Sequence, residues 1–300
     1  MSSDKKETLS SEAPSIYSPS VGFLGCGTIA SAIATGLLSQ ESNSNIQINK
    51  VFVTRRSESK SKALKEQFGD KVEITDDKQH IVNEADLIFV CVLPEQVDQV
   101  LDELDFGNDK VIVSLVSTGK LSTLVEKSKL PKENVFKMIC LPAVQDHEGT
   151  PLLVPRCTSS TRNLSSLLST LGGQEGTCIE CENEEIMEAM MVSTCMMGPM
   201  YGLMRTNRDF LISKGVPKRD ANNFVARNYW GITKDALVTS LEEGAEEDSL
   251  DKLIAEQTPG GLNEQSLRNL SEAGMLDLYT NAMQAVLNRI QGKSDGSMPK

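Results

Sequence analysis

The chain has 300 residues, an apolar share of 39% and a formal net charge of −12, which suits one large domain or two ordinary ones with a normal core. The negative charge argues against a nucleic acid or an anionic membrane as a partner, because no basic run exceeds a pair such as Lys5-Lys6. No apolar stretch approaches the ~20 residues that cross a bilayer, so we expect a cytoplasmic protein.

The N-terminal segment 1–19 is polar and Ser-rich and contains no arginine. This composition fits neither a secretory signal nor a transit peptide, so we expect a disordered tail. The seven cysteines are odd in number and scattered, as is typical of reduced, buried thiols. Cys178 and Cys181 have a C-x-x-C spacing, but the chain has only two histidines and no second cysteine pair follows. We therefore predict no metal site.

A glycine-rich turn follows the first predicted strand. Gly25-Cys26-Gly27-Thr28-Ile29-Ala30 lies between the apolar run from Val21 to Leu24 and an amphipathic helix. In a dinucleotide site the first glycine allows the tight turn, the second lets the backbone approach a pyrophosphate, and the small third residue packs the helix on the strand. The N–H groups at the helix start, from Thr28, Ile29 and Ala30, then face the phosphates. The alternative is a plain strand-to-helix turn.

The second predicted strand, from Lys50 to Thr54, lacks the acid that usually binds a ribose hydroxyl. Its end reads Thr54-Arg55-Arg56-Ser57. Arg55 and Arg56 can pair with a ribose 2′-phosphate, and Thr54 or Ser57 can donate a hydrogen bond to it. The sequence therefore favours NADP(H) over NAD(H), the alternative being two solvated arginines at a strand end.

Strand and helix patterns then alternate, which predicts parallel strands with crossover helices. Ligands in such sheets bind at the carboxyl ends of the strands. We therefore expect the loops after two apolar strands to face the coenzyme, with Leu93 and Pro94 in one and Ser117 and Thr118 in the other. Further elements are predicted at 59–68, 86–92, 95–104, 111–115, 135–139, 152–154, 161–171 and 178–180.

From Glu182 onwards the pattern is almost wholly helical, with helices predicted at 184–191, 198–214 and 219–241 and one last helix at about 265–290. The predicted fold is α/β: an N-terminal parallel sheet of Rossmann type followed by an all-helical dimerisation domain. The domains are assigned to 20–181 for NADP binding and 182–292 for dimerisation and substrate, with a tail at 293–300. Long apolar stretches in the helical half indicate a homodimer or a higher homo-oligomer.

Three segments together resemble pyrroline-5-carboxylate reductase: Val21 to Leu38, Lys214 to Ala221, and Thr258-Pro259-Gly260-Gly261 with its following helix. The likeness runs from about Val21 to Ile290, with the same order of domains. It implies hydride transfer from NAD(P)H to the C=N carbon of pyrroline-5-carboxylate, which gives proline in the last step of its biosynthesis. It also implies that catalysis is mainly positioning of the imine and its carboxylate.

The resemblance places the substrate between two loops, the second from a neighbouring subunit. The family's Ser-Gly-Ser-Gly-Pro is replaced here by Cys195-Met196-Met197-Gly198-Pro199. Gly198 and Pro199 still suit a helix start that can bind a carboxylate. Met196 and Met197 would make the pocket more apolar, or alternatively they pack as core.

In the second loop Gly260 and Gly261 are kept, but Asn263 stands where the family has a substrate-binding threonine. Leu93 replaces the usual lysine before Pro94, and Glu246 falls near an acid that the family places close to the imine. The coenzyme pattern is thus kept while the substrate pattern is altered. The sequence predicts a reductase of a cyclic imino acid. The alternatives are a reductase of another imine or carbonyl compound with a more apolar pocket, and a non-catalytic NADPH-binding regulator.

Overall fold

Short apolar strands alternate with helices in the first half of the chain. The computed structural model describes residues 16–40, 45–55, 57–173, 176–241 and 248–298. The strands within these ranges are β1 (Val21–Leu24), β2 (Val51–Thr54), β3 (Val72–Thr75), β4 (Leu87–Val90), β5 (Val111–Ser114), β6 (Val135–Ile139), β7 (Leu152–Val154) and β8 (Ile179–Glu180). The helices are α1 (Thr28–Leu38), α2 (Glu58–Phe68), α3 (Lys78–Glu84), α4 (Val97–Asp102), α5 (Leu121–Ser128), α6 (Arg162–Ser169), α7 (Glu184–Cys195), α8 (Met197–Ser213), α9 (Lys218–Ser240), α10 (Ser249–Ala255), α11 (Leu262–Glu272) and α12 (Met275–Ile290).

The strands form one sheet in the order β3-β2-β1-β4-β5-β6-β7-β8. All neighbouring pairs are parallel except β6 and β7. The predicted α/β class with a parallel Rossmann-type sheet and a helical second half is confirmed, with an antiparallel β7 that the sequence analysis did not foresee. Strand β3 and helices α3 and α5 were also missed, because each is short and carries polar residues among its apolar ones.

Helices cover both faces of this sheet. Ile33 and Leu167 belong to the core on the side of α1, α2 and α6, whereas Ile81 and Leu124 belong to the core on the side of α3, α4 and α5. The central strands β1 and β4 are wholly buried, as parallel strands between two helical layers must be. This arrangement leaves the carboxyl ends of the strands as the open edge of the sheet.

One buried charge lies in the middle of the sheet. Lys137 of β6 has a side chain only 5% exposed, and its Nζ donates to Glu184 Oε1 at 2.7 Å. The same Glu184 oxygen accepts the N–H of Leu121 at 3.1 Å. Since an unpaired buried charge is costly, this pair fixes the start of α7 against β6 and the start of α5.

The chain divides into two compact units, the first reaching Met187 and the second beginning at Glu188. The predicted tail over 1–19 is ordered at its end, because Tyr17 pairs with Ile46, and its residues 1–15 lie outside the described ranges. In the second unit α8 packs on α9 and α11 on α12. Large apolar side chains such as Phe210, Phe224 and Trp230 are about 60% exposed there. Within the described ranges no helix is long and apolar enough to cross a membrane.

Candidate functional site

The turn after β1 has room only for glycine at its first position. Gly25 has a φ of +110°, and a Cβ there would lie 2.5 Å from the backbone oxygen of Cys91, just beyond β4. The Gly25 N–H donates to Thr54 Oγ1 at 3.2 Å. Thr54 is buried, and this hydrogen bond helps to hold the turn in place. The close approach and the positive φ together explain the first glycine of the motif.

Helix α1 begins directly at this turn and presents free donors. Gly27 is its N-cap, and a Cβ at Gly27 would meet no atom within 4 Å. No side chain of the described residues caps the helix, and its first turn, which includes Thr28 and Ile29, contains no acid. Ala30 is buried against the sheet. The helix start is therefore open to an anion such as a pyrophosphate.

Lys60, which the sequence analysis did not single out, adds a positive charge at this helix start. It lies in the first turn of α2, and its Nζ donates to Thr28 Oγ1 at 3.1 Å. Lys60 could have been expected from the predicted sheet. Because β2 lies beside β1, the helices that follow these two strands start close together. Lys60 is thus a candidate phosphate ligand.

The end of β2 carries the residues predicted to read the coenzyme's ribose. Arg55 is exposed and its Nε donates to Asp76 Oδ2 at 3.1 Å. Ser57 is half-buried and precedes α2. Arg56 lies outside the described residues. The hydroxyl oxygen of Thr54 accepts a hydrogen bond from the Gly25 N–H. A role for Thr54 or Ser57 in binding a 2′-phosphate stays a prediction.

A cavity of about 210 Å³ opens at this edge of the sheet. Gly25 and Thr54 line it together with residues that the sequence analysis did not name as ligands: Asp76, Lys78, Gln96 and Gln99. These come from the ends of β3 and β4 and from the helices that follow them. The cavity therefore combines the glycine turn with charged and amide side chains suited to a polar ligand.

The two predicted loops also lie at the carboxyl edge. Leu93 is 53% exposed after β4, and Pro94 begins a short 3₁₀ turn. Ser117 and Thr118 are exposed after β5, where the Gly119 N–H donates to the Val116 oxygen at 3.2 Å. Pro94 and Thr118 line one cavity of about 230 Å³, so the structure brings these two loops together.

The thiols near the turn are expected to be unreactive. Burial raises the pKa of Cys26 to about 11 and that of Cys140 to about 12, and it also raises the pKa of Cys91. All three are protonated at neutral pH and pack as apolar groups. Within the described ranges, no three His, Cys, Asp or Glu side chains form a group that could hold a metal ion.

The first substrate loop ends at the start of α8. Met197 opens the helix, and Gly198 and Pro199 lie in its first turn. The two methionines differ: Met196 is 5% exposed, whereas Met197 is 44% exposed. Met196 therefore packs as core, which was the alternative interpretation of the sequence. Of the two methionines, only Met197 exposes its thioether to a ligand. No described side chain caps the helix start, so its free N–H groups can donate hydrogen bonds to a carboxylate.

The second substrate loop is a tight turn before α11. The Gly261 N–H donates to the Thr258 oxygen at 2.8 Å, and Gly260 has a φ of +73°. Proline followed by a left-handed glycine is what such a turn requires. Helix α11 starts at Leu262, earlier than the predicted 265, so Asn263 lies exposed in its first turn. Glu246 lies outside the described residues.

Comparisons with known proteins agree with this geometry. The family described as "NADP oxidoreductase coenzyme F420-dependent" matches residues 20–118, which include the glycine turn and the end of β2. Pyrroline-5-carboxylate reductase of Escherichia coli is 25% identical over 276 residues, which cover 90% of this chain and 96% of that protein. The chain is similar to pyrroline-5-carboxylate reductases over most of its length. The resemblance seen in the sequence is thereby confirmed.

Solved structures of pyrroline-5-carboxylate reductases share its fold. The structure from Coxiella burnetii has a TM-score of 0.74 at 21% identity and covers 92% of this chain and 98% of its own. The structure from Plasmodium falciparum, with NADP bound, has a TM-score of 0.70 at 17% identity and covers 93% and 98%. The similarity to these reductases thus extends over both halves of the chain.

Proposed function

We propose that this chain is an NAD(P)H-dependent reductase of a cyclic imino acid and that it converts pyrroline-5-carboxylate to proline. The observation that carries the proposal is the glycine turn, with its open helix start and adjacent Lys60, on a chain whose relatives over 90% of its length are pyrroline-5-carboxylate reductases. The free, buried thiols of the first unit suit the cytoplasm.

The residues present fit the coenzyme. The N–H groups at the start of α1 and the Lys60 ammonium would hold the pyrophosphate, and the loops with Leu93, Pro94, Ser117 and Thr118 would border the nicotinamide end. When bound, NAD(P)H supplies the hydride for the C=N carbon. The protein's part is to position: the start of α8 and the Asn263 amide are candidates to hold the substrate carboxylate.

We propose that NADPH is preferred over NADH. Arg55 is exposed beside the cavity, and Arg56 follows it in sequence. A 2′-phosphate gains charge-assisted hydrogen bonds from such groups, which a 2′-hydroxyl cannot match.

A fluorescence titration with NADPH and NADH, followed by addition of pyrroline-5-carboxylate while the absorbance at the nicotinamide band is recorded, tests this function. We expect binding of NADPH and its oxidation by the imino acid. Binding without oxidation over a panel of cyclic imines would favour a non-catalytic, NADPH-binding regulator. Absence of binding would contradict the proposal.

The half-exposed Met197 favours a second candidate, a reductase of a different, less polar imine or carbonyl compound. It would be supported if an imine without a carboxylate gave a higher kcat/KM than pyrroline-5-carboxylate.

We further propose a homodimer or a larger homo-oligomer. Helices α8, α9 and α12 of one copy leave large apolar side chains exposed, among them Tyr201, Phe224, Trp230 and Leu278. Exposed apolar surface of this extent marks an interface between proteins. Light scattering at micromolar concentration should give at least twice the 32.7 kDa of one chain.

A further inference from the structure

The third strand supplies a carboxylate where the second strand lacks one. β2 and β3 are parallel, with Thr54 opposite Thr75. The residues that follow, Arg55 and Asp76, are therefore neighbours, and Arg55 Nε donates to Asp76 Oδ2 at 3.1 Å. The missing acid of the dinucleotide motif is thus replaced in space by an acid from the adjacent strand.

Asp76 is placed to bind a ligand. It lines the same cavity as Gly25 and Thr54, and its side chain is 71% exposed. Only its Oδ2 has a partner among the described residues, so Oδ1 can accept a further hydrogen bond. The neighbouring Asp77 is not equivalent, because its Oδ1 caps α3 by accepting the His80 N–H at 3.0 Å.

Arg55 and Asp76 have opposite effects on a ribose 2′-phosphate. A carboxylate at this edge accepts a hydrogen bond from a ribose 2′-hydroxyl and repels a 2′-phosphate, whereas a guanidinium attracts the phosphate. Arg55 uses Nε for Asp76, and its two terminal nitrogens keep donors for an anion. Arg55 and Asp76 therefore favour different coenzymes at one place.

We propose that Asp76 is the ribose-recognising carboxylate of this chain and that it limits the preference for NADPH, so that the protein uses both coenzymes. This inference rests on the proposed function, since it requires that the cavity binds the adenosine part of NAD(P)H. Asp76 acts as a specificity-determining residue and takes no part in hydride transfer.

The test is coenzyme binding to the purified full-length protein, measured by nicotinamide fluorescence without an imine. For Asp76→Asn we expect the ratio of the Kd for NADH to the Kd for NADPH to rise roughly fivefold, since a unit charge a few ångströms from a phosphate in water has about that effect. NADPH should bind more tightly and NADH more weakly. For Arg55→Gln the ratio should fall.

Asp102→Asn is the matched control, because Asp102 is also an exposed acid paired with a cation, Lys127 at 2.7 Å, but does not line this cavity. Its ratio should equal that of the wild type. An unchanged ratio in Asp76→Asn would overturn the inference, as would equal weakening of both coenzymes, which is what a contact with the shared adenine would give. If the wild type binds neither coenzyme, the proposed function fails as well.

Discussion

The two candidate sites of this chain are built in different ways. The coenzyme edge belongs to the first unit, where parallel strands place Gly25, Thr54 and Asp76 around one cavity. The residues that we propose for the substrate lie at the starts of α8 and α11, in a unit whose helices leave much apolar surface exposed. One copy of the chain thus carries the groups that we propose for the coenzyme, whereas the groups proposed for the substrate lie in a unit that we expect a second copy to cover.

The largest expected effect concerns the glycine turn. Gly25→Ala puts a Cβ 2.5 Å from the Cys91 oxygen at a φ of +110°, so we expect a loss of at least ~3 kcal/mol in the free energy of unfolding. Coenzyme binding should be lost as well. Urea denaturation and a NADPH titration measure the two effects.

Gly27→Ala is the matched control for that prediction, because a Cβ at Gly27 meets nothing within 4 Å. Its stability should remain within about 0.5 kcal/mol of the wild type. Binding of NADPH should weaken all the same, because the new methyl group occupies the approach of the pyrophosphate. Unchanged NADPH binding in Gly27→Ala would mean that this turn does not contact the coenzyme.

The two methionines test the substrate side. Met196→Ala should lower the free energy of unfolding by about 3 kcal/mol, because Met196 is 5% exposed and its removal leaves a cavity. Met197→Ala, at a side chain 44% exposed, should change it by less than about 0.5 kcal/mol. Thermal denaturation of the pair decides this. Equal losses would mean that Met197 is also core.

Lys60→Met tests whether the Lys60 charge contributes to coenzyme binding without contributing to stability. We expect the Kd for NADPH to rise about tenfold, the effect of losing one charge-assisted hydrogen bond to phosphate. Stability should hardly change, because Lys60 is half-buried and its ammonium is bonded, among the described residues, only to the Thr28 hydroxyl. Lys62→Met, which removes the exposed partner of Glu58 on the same helix, is the control and should leave the Kd unchanged.

The smallest effect is expected at α11. Asn263 is exposed in the first turn of the helix, so Asn263→Ala should raise the KM for pyrroline-5-carboxylate by roughly fivefold through loss of one amide hydrogen bond. The Kd for NADPH should stay the same, since the coenzyme edge lies in the first unit. Weakened coenzyme binding in this variant would contradict the division between the two sites.

Local patterns were predictable where a short segment carries its own physical cause. Gly25 was found because a tight strand-to-helix turn requires a glycine, and β2 was found because its apolar residues are consecutive. Gly260 was found through the resemblance of its loop, and the structure shows that it is left-handed. The predicted last helix begins three residues earlier, at Leu262, and is interrupted at Gly274, so that it forms two helices, α11 and α12. The start of α11 follows from the turn at Thr258, whose hydrogen bond to Gly261 sets the first helical residue.

Most of the strands and helices, the glycine turn and the likeness to the reductases could be predicted from the sequence, because these depend on residues close together in the chain. The tertiary structure alone showed that Met196 is buried while Met197 is exposed, that Lys60 reaches Thr28, and that Asp76 stands beside Arg55. These contacts depend on the sheet, because parallel pairing of β1, β2 and β3 brings the residues beyond each strand to one edge, although they are some twenty to thirty positions apart in sequence.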